Sequence, residues 1–158
     1  MRKRIILLIL IFLNLGTIFF FSHQDSKASG KLSSDITNQI KVHTPRYAEK
    51  TEAQQKVVHT QTQYLIRGLA HGTLFFSLGV LSILLLRAYK SCWFWYLGNL
   101  LMGFLVALSD EIHQLYVPGR SFGWDDISYD MFGFLLGMLT VLLFVWIRKN
   151  VHKKTAAH

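Results

Sequence analysis

Long apolar runs separated by short charged segments dominate the pattern of this chain. A helix that crosses a membrane needs about 20 mostly apolar residues, with about 17 as the lower end. The runs predict four such helices, over residues 5–21, 65–86, 92–116 and 126–147. The pattern therefore predicts an all-α, polytopic membrane protein with four transmembrane helices, folded as a single domain over residues 1–158.

The first apolar run has a second interpretation. A basic tripeptide at residues 2–4 precedes it and small residues at 28–29 follow it, as in a cleavable secretion signal. The apolar core of such a signal is usually about 7 to 15 residues long, and the run at 5–21 exceeds that length. Its length favours an uncleaved helix that stays in the membrane.

The distribution of charge predicts the orientation of the helices. If the N-terminus is cytoplasmic, the two termini and the turn between the second and third helices hold nine of the 17 Lys and Arg residues and no acid. All nine acids then lie on the opposite side, with the other eight cations spread over longer segments. Cytoplasmic segments are enriched in Lys and Arg close to helix ends. We therefore expect both termini in the cytoplasm.

Composition favours a membrane protein over a soluble one. The chain is 51% hydrophobic and 16% charged, whereas an ordinary soluble domain has about 25% charged residues. A net charge of +8 also suits a nucleic-acid-binding protein. Because the excess cations lie beside the ends of apolar runs, they are explained as membrane anchors, and we expect no nucleic-acid partner. The single cysteine, Cys92, excludes an internal disulfide and a cysteine-based zinc site.

Two polar connections are expected on the outer side. The first is a polar loop over residues 22–64, in which Leu32, Ile36 and Ile40 recur at four-residue spacing. That spacing is typical of one face of a short helix lying at the membrane interface. The second contains Pro118-Gly119, a turn signal that we expect to end the third helix near Tyr116.

Small residues and polar residues share one face on three of the predicted helices. The third helix collects into one stripe Tyr96, Asn99, Gly103, Asp110 and Gln114, with Ala107 and Glu111 beside it. The fourth helix collects Asp126, Asp130, Gly133 and Gly137. The second helix carries Arg67 and His71 next to Gly68, Gly72 and Gly79. Because small residues let helices approach each other in lipid, we expect these faces to meet in the protein interior.

The three faces predict a layer of polar side chains at the outer end of the helices, which we name the polar layer. It comprises Arg67, His71, Asp110, Glu111, His113, Gln114, Arg120, Asp126 and Asp130. Ionisable groups at membrane depth are costly unless paired or hydrated, and by default they mark a functional site. The structural alternative is that Arg67 and Arg120 only neutralise the acids and hold the helices together. The size of the layer favours a functional site.

The remaining polar and small residues of the helices are interpreted as packing devices. Gly133 and Gly137 are expected at close helix contacts, and Asn14 and Thr17 are expected to form hydrogen bonds between helices.

Sequence signatures of metal binding or covalent catalysis are missing from the polar layer. Asp110 and His113 lie three residues apart, but they do not form a His-Glu-x-x-His motif and no second matching pair exists. No serine has the Gly-x-Ser-x-Gly elbow of a hydrolase nucleophile. The sequence therefore predicts no metal site and no cofactor.

Four motifs, taken in order along the chain, resemble the VanZ-like family of bacterial membrane proteins. They are Phe21-Ser22-His23-Gln24-Asp25-Ser26, Arg67-Gly68-Leu69-Ala70-His71, Asp110-Glu111-Ile112-His113-Gln114 with Pro118-Gly119-Arg120, and Asp126-x-x-x-Asp130-x-x-Gly133-x-x-x-Gly137. The resemblance covers nearly the whole chain. It implies that the functional polar positions are Ser22, Gln24, Arg67, His71, Glu111, Gln114, Arg120 and Asp126. Asp130 departs from the family, which usually has Asn there, so the polar layer gains an acid.

The resemblance also implies a role at the cell envelope. The namesake of the family is linked to low-level resistance to teicoplanin, a lipid-bearing glycopeptide that acts on cell-wall precursors at the outer surface. It implies a multi-pass protein of the bacterial plasma membrane that contributes to teicoplanin tolerance. The oligomeric state stays open.

Two functional hypotheses follow for the polar layer. In the first, Arg67 and Arg120 contact the phosphate of an anionic lipid or a lipid-linked cell-wall precursor, because guanidinium groups bind phosphate well. Ligand-binding residues are then expected at Ser22, Gln24, Arg67, His71, Asp110, Glu111, Gln114, Arg120, Asp126 and Asp130. In the second, the protein is a membrane-embedded lipid phosphatase or hydrolase in which His71 or Glu111 is the general base.

Overall fold

The computed structural model of the chain describes residues 1–24, 31, 34–40, 47, 49–89 and 92–155, with side chains up to residue 151. Its long helices are α1 Arg2–Ser22, α2 Glu52–Ala88, α3 Trp93–Gln114 and α4 Trp124–Thr155. A short helical stretch covers residues 34–40. The described residues contain no strand, so the all-α prediction is confirmed.

Three of these helices, α1, α2 and α4, are long and apolar enough to cross a membrane. Large apolar side chains stand on their outer surfaces, including Phe12 at 72% exposure and Phe132 at 69%, as expected for helices that face lipid. Helix α3 has 22 residues, but aromatic and polar positions near both of its ends shorten its apolar stretch. The structure supports three of the four predicted spans, and the span over α3 stays a prediction.

Helix α2 is longer than its apolar run predicted. It begins at Glu52, where Thr51 and Gln54 form a capping box: the Thr51 N–H donates to the Gln54 side chain at 3.1 Å, and the Gln54 N–H donates to the Thr51 hydroxyl at 3.4 Å. The prediction of a polar loop over residues 22–64 is therefore wrong for residues 52–64, which are helical. The helix begins at a capping box in a polar segment, before the first apolar residue of the run. The 37 residues of α2 span about 55 Å, so its first turns extend beyond a bilayer core about 30 Å thick.

The polar connections are described in part. Ile36 and Ile40 lie in the helical stretch 34–40, as the spacing predicted, whereas Leu32 lies outside the described residues. The turn signal after the third helix is confirmed, although α3 ends at Gln114 rather than near Tyr116. Gly119 adopts a φ of 76°, which a side chain disfavours, and the Arg120 N–H donates to the Val117 carbonyl at 3.1 Å to close the turn.

Helices α1 and α2 run antiparallel with polar contacts at two levels. The Arg4 guanidinium donates to the last carbonyl of α2, on Ala88, at 2.9 and 3.2 Å. In mid-helix the Asn14 amide donates to the Ser77 hydroxyl, which confirms the predicted bond between helices. The same prediction for Thr17 is wrong, because its hydroxyl donates to the Leu13 carbonyl of its own helix at 2.9 Å.

Helices α2 and α4 touch through glycines. A Cβ atom on Gly133 would collide with the Gly72 carbonyl of α2, and one on Gly137 would collide with the Phe76 carbonyl. The Phe134 ring covers Gly103 of α3, where a Cβ would lie 2.7 Å from it. The glycines are therefore packing positions, as predicted, and the contact fixes how the polar ends of the helices face each other.

Candidate functional site

Three polar side chains are buried at the end of α3. The buried residues of this helix are Gly103, Ala107, Asp110, Glu111 and Gln114, which confirms the stripe predicted from spacing. Asp110 and Glu111 have no exposed surface, and Gln114 is 1% exposed. Burying a carboxylate is costly unless it is hydrogen-bonded or paired, so the partners of these groups decide what the site can do.

The Gln114 amide connects the two acids to Arg120. Its Nε2 donates to Asp110 Oδ2 and to Glu111 Oε1, both at 3.0 Å. Its Oε1 accepts from Arg120 Nη1 at 3.1 Å. Because both polar atoms of the amide are hydrogen-bonded, its orientation is fixed. The acids polarise the amide, which strengthens the hydrogen bond that its oxygen accepts from the guanidinium.

Glu111 also holds the connection between α3 and α4. Its Oε2 accepts from the Gly123 N–H at 2.7 Å, one residue before α4 begins. Both carboxylate oxygens of Glu111 are therefore occupied by N–H donors. The arrangement gives Glu111 a role in fixing the loop, and its general-base role stays a prediction.

Arg120 folds back over the site from the turn after Gly119. Besides its bond to Gln114, its Nε donates to the Gln24 carbonyl at 3.4 Å, so it links α1 to α3. The described residues show no direct ion pair between Arg120 and an acid, although Asp126, Asp110 and Glu111 lie near enough to stabilise its charge. Burial lowers the pKa of the Arg120 guanidinium, and the nearby Arg67 cation lowers it further.

Arg67 lies beside Arg120 without a partner. Within the part of the chain that the structure describes, its guanidinium makes no hydrogen bond and no ion pair. Both arginines line two cavities. One, of about 380 Å³, is mostly apolar and is bordered by Phe21, Ile36 and Leu74. The other, of about 500 Å³, is polar.

The polar cavity opens between the loop before α4 and the part of α2 that carries Tyr64 and Arg67. Asp125 and Asp126 line it, together with the hydroxyl-bearing Tyr64, Ser121 and Tyr129. Asp126 is half-buried there, as the predicted face of α4 requires. Sequence reasoning missed both tyrosines, because they lie outside the small-residue stripes that it used as a guide.

His71, Asp110 and Asp130 meet where α2, α3 and α4 converge. His71 Nδ1 lies 3.5 Å from Asp130 Oδ1 and 3.9 Å from Asp110 Oδ2. Both aspartates are fully buried, and His71 also lines the apolar cavity. The spacing placed each residue on an inward face, and the structure brings the three together.

The other predicted residues occupy the edge of the site. Ser22 is fully buried and its hydroxyl has no hydrogen-bond partner. Gln24 lines the apolar cavity and contributes its backbone carbonyl to Arg120. His113 points to α1, where its ring stacks on His23 with 3.4 Å between His113 Nε2 and His23 Nδ1. The sequence analysis did not find this pairing, because the periodicity of one helix does not predict which residue of another segment it contacts.

The fold and the site define an all-helical membrane protein with a buried polar layer at one end of its helices. A profile of the VanZ/LLP1 family matches residues 5–146. The chain therefore belongs to this family, as the ordered motifs predicted. No curated protein and no solved structure matches the chain.

Proposed function

We propose that the chain binds the phosphate-bearing headgroup of an anionic lipid or of a lipid-linked cell-wall precursor. The observation that carries this proposal is that Arg67 and Arg120 line the same two cavities, while Arg67 has no polar partner among the described residues. Two adjacent cations repel each other and favour an anion between them. Arginines that only held helices together would be paired with the acids.

The two cavities suit the two parts of an amphiphilic ligand. Ile36, Ile66 and Leu74 border the apolar cavity, which has room for a hydrocarbon chain. Tyr64, Ser121 and Asp125 border the polar cavity, which offers hydrogen bonds to a headgroup. Their volumes, about 380 and 500 Å³, fall within the usual range of roughly 300 to 1,000 Å³ for ligand pockets. A phosphate at the shared arginines would join the two.

The buried acids serve this site by positioning Arg120. Gln114, itself bound to Asp110 and Glu111, holds one end of the guanidinium, and the Gln24 carbonyl holds Nε. A guanidinium fixed in this way loses little rotational freedom when it binds a phosphate.

The proposed setting is the bacterial plasma membrane, with four spans and both termini in the cytoplasm. The contact of Arg4 with Ala88 supports this orientation, because it brings the basic start of α1 and the basic end of α2 to the same level. The polar layer then faces the outer surface, where teicoplanin acts. Binding a lipid-linked precursor there would change its presentation and contribute to tolerance of the antibiotic.

Lipid binding by the purified protein in detergent tests the proposal. We expect short-chain phosphatidate to bind, and phosphatidylcholine of the same chain length to bind at least tenfold more weakly. Arg67→Gln and Arg120→Gln should each weaken phosphatidate binding about tenfold, since a hydrogen bond to a charged group contributes about 1.5 kcal/mol or more. Arg148→Gln, an exposed arginine near the other end of α4, is the matched control and should bind normally.

The other outcomes of this experiment distinguish the ligand sources. If inorganic phosphate competes at concentrations similar to those of phosphatidate, the site recognises free phosphate and the lipid proposal is wrong. Equal binding of phosphatidylcholine, or equal losses in all three arginine variants, would also overturn it. In a teicoplanin-sensitive bacterium, the wild-type chain should raise the inhibitory concentration and Arg67→Gln should not.

Orientation is tested with single cysteines on a Cys92→Ser background. Cysteines that replace the outer residues Ser34 and Ser121 should react with a membrane-impermeant thiol reagent in intact cells, and one that replaces Ala156 should not. The reverse pattern would put the polar layer on the cytoplasmic side.

A membrane-embedded hydrolase is the second candidate, and one observation favours it. His71 lies beside two buried carboxylates and borders the apolar cavity, a setting in which an imidazole can accept a proton from water. Release of phosphate from phosphatidate by the purified protein, abolished by His71→Gln, would establish this activity. Binding without release would exclude it for this substrate.

A further inference from the structure

Three metal-ligating side chains converge at the centre of the polar layer. His71 of α2, Asp110 of α3 and Asp130 of α4 each offer one atom that can bind a metal, and these atoms all lie within 4.8 Å of one another. The three residues come from three separate helices, so the arrangement depends on the tertiary packing of the bundle rather than on one sequence motif.

Several of the nitrogen and oxygen atoms in this cluster that can bind a metal lack a hydrogen-bond partner among the described residues. Both Asp130 oxygens, Asp110 Oδ1 and His71 Nδ1 are buried without a hydrogen bond to any described residue. Nearly all buried polar atoms of native proteins are hydrogen-bonded, and exceptions call for an explanation such as a bound ion. Asp130 is the clearest case, because both of its buried carboxylate oxygens lack a partner among the described residues.

The distances fit metal ligands better than hydrogen bonds. N–H···O bonds are about 2.7 to 3.2 Å long, whereas His71 Nδ1 lies 3.5 and 3.9 Å from the two carboxylates. Two atoms bound to the same tetrahedral Zn²⁺ at about 2.0 to 2.2 Å lie about 3.4 Å apart. The two distances from His71 Nδ1 are close to this spacing, and the three ligand atoms together lie within 4.8 Å of one another, so the site would contract on binding the ion.

The charges of the polar layer call for a cation. Asp110, Glu111, Asp126 and Asp130 provide four acids within it, against the two arginines Arg67 and Arg120. Neither arginine forms an ion pair with an acid in the described residues. Four acids and two arginines leave a formal charge of −2, which a divalent ion among the acids would balance.

We propose that His71, Asp110 and Asp130 bind a divalent transition-metal ion, with Zn²⁺ and Mn²⁺ as the ions that one imidazole and two carboxylates suit best. Three protein ligands leave a coordination position open, as in catalytic rather than structural sites. His71 borders the apolar cavity, so an open position on that side accepts water or an oxygen of an anionic ligand. The metal site does not depend on the lipid proposal.

Metal content of the full-length protein is the first test. The protein is purified with a tag free of histidine, treated with a chelator, loaded with Zn²⁺ or Mn²⁺, desalted and measured by plasma mass spectrometry. We expect about one ion per chain in the wild type and less than a tenth of that in Asp130→Asn. Asp35→Asn, which alters an exposed carboxylate, is the matched control and should keep the ion.

A wild type with no ion above background in either metal would overturn the proposal. It would mean that a protonated His71 balances the two aspartates. Metal retained by Asp130→Asn would overturn it as well, by placing the ion elsewhere.

A second variant tests the metal site if Asp130→Asn does not fold, because it should gain an absorption band when the metal binds. On a Cys92→Ser background, His71→Cys replaces the imidazole by a thiolate, which is also a ligand of divalent metals. Loading with Co²⁺ should then produce a sulfur-to-cobalt charge-transfer band in the near ultraviolet that the Cys92→Ser parent lacks. Absence of this band in a folded His71→Cys protein that still binds Co²⁺ would show that residue 71 is not a ligand.

Discussion

The glycine contact in the middle of the bundle and the polar layer at its end are packed in opposite ways. Where α2 meets α4, Gly79, Gly133 and Gly137 place backbone against backbone and leave no space for a methyl group. At the polar layer, α2 borders both cavities and α4 borders the polar one, and buried polar atoms such as those of Asp130 lack partners among the described residues.

The contrast indicates how the protein divides stability and function between its regions. Close contact in the glycine region fixes the relative position of α2 and α4. This rigidity keeps the polar side chains of the layer near one another even though they are not fully paired, a condition that favours ligand binding over stability. Substitutions should therefore change stability in the glycine region and binding in the polar layer.

A methyl group at the glycine contact should have the largest effect on stability. Gly133→Ala directs a Cβ into the Gly72 carbonyl, and because backbone cannot move aside like a side chain, we expect a loss of about 3 kcal/mol. Gly98→Ala is the matched control: no atom lies within 4 Å of its Cβ position, and the helix should become more stable by about 0.5 kcal/mol. Unfolding in detergent measures both. Equal stability of the two variants would contradict the close contact.

Removal of the Gln114 amide should have the next largest effect. Gln114→Leu keeps the volume but deprives Asp110, Glu111 and Arg120 of a hydrogen bond each, so we expect a loss of about 2 kcal/mol. The exposed Gln61→Leu on α2 serves as the control. Unfolding measurements that give the same result for both variants would show that the Gln114 connection contributes nothing.

Neutralising Glu111 should cost less stability but release the loop before α4. Both oxygens of Glu111 accept N–H groups, so the amide nitrogen of Glu111→Gln must face a donor, either Gly123 N–H or the Gln114 amide. We expect a loss of about 1 kcal/mol. Faster hydrogen exchange at Gly123 should accompany it, with exposed Glu49→Gln as the control. Unchanged exchange at Gly123 would remove the positioning role of Glu111.

Replacing Arg120 by lysine should have the smallest effect on stability. Because a lysine keeps the charge of Arg120 but replaces only one of its hydrogen bonds to Gln114 and the Gln24 carbonyl, we expect Arg120→Lys to lower the free energy of unfolding by about 0.5 kcal/mol. Phosphatidate binding should nevertheless weaken, since an ammonium cannot bridge Gln114, the Gln24 carbonyl and a phosphate as a planar guanidinium can. Normal binding by this lysine variant would rule out a specific role for the guanidinium.

Helix faces could be predicted from the sequence, because periodicity depends only on positions within one helix. The buried set of α3, from Gly103 to Gln114, and the glycines of α4 were identified in this way. The start of α2 at Glu52 was missed, since its first turns are polar and only the capping box of Thr51 indicates them.

Partners across helices could not be predicted, because they depend on how the helices are placed against one another. Spacing put Arg120 near the acids but did not show that Gln114 stands between them. It also gave no sign that Asp110 would face His71 and Asp130 rather than the nearby His113. Thr17 illustrates the same limit, because its own backbone satisfies the hydroxyl that was assigned to another helix.

Stability and lipid binding of Arg67→Gln, measured on the same preparation, test most directly whether the polar layer is a binding site. Arg67 has no partner among the described residues and lies near another cation, so its removal should leave the free energy of unfolding within about 0.5 kcal/mol of wild type or raise it. Phosphatidate binding should fall about tenfold. A loss of about 2 kcal/mol with unchanged phosphatidate binding would contradict the account and make Arg67 a structural link between helices.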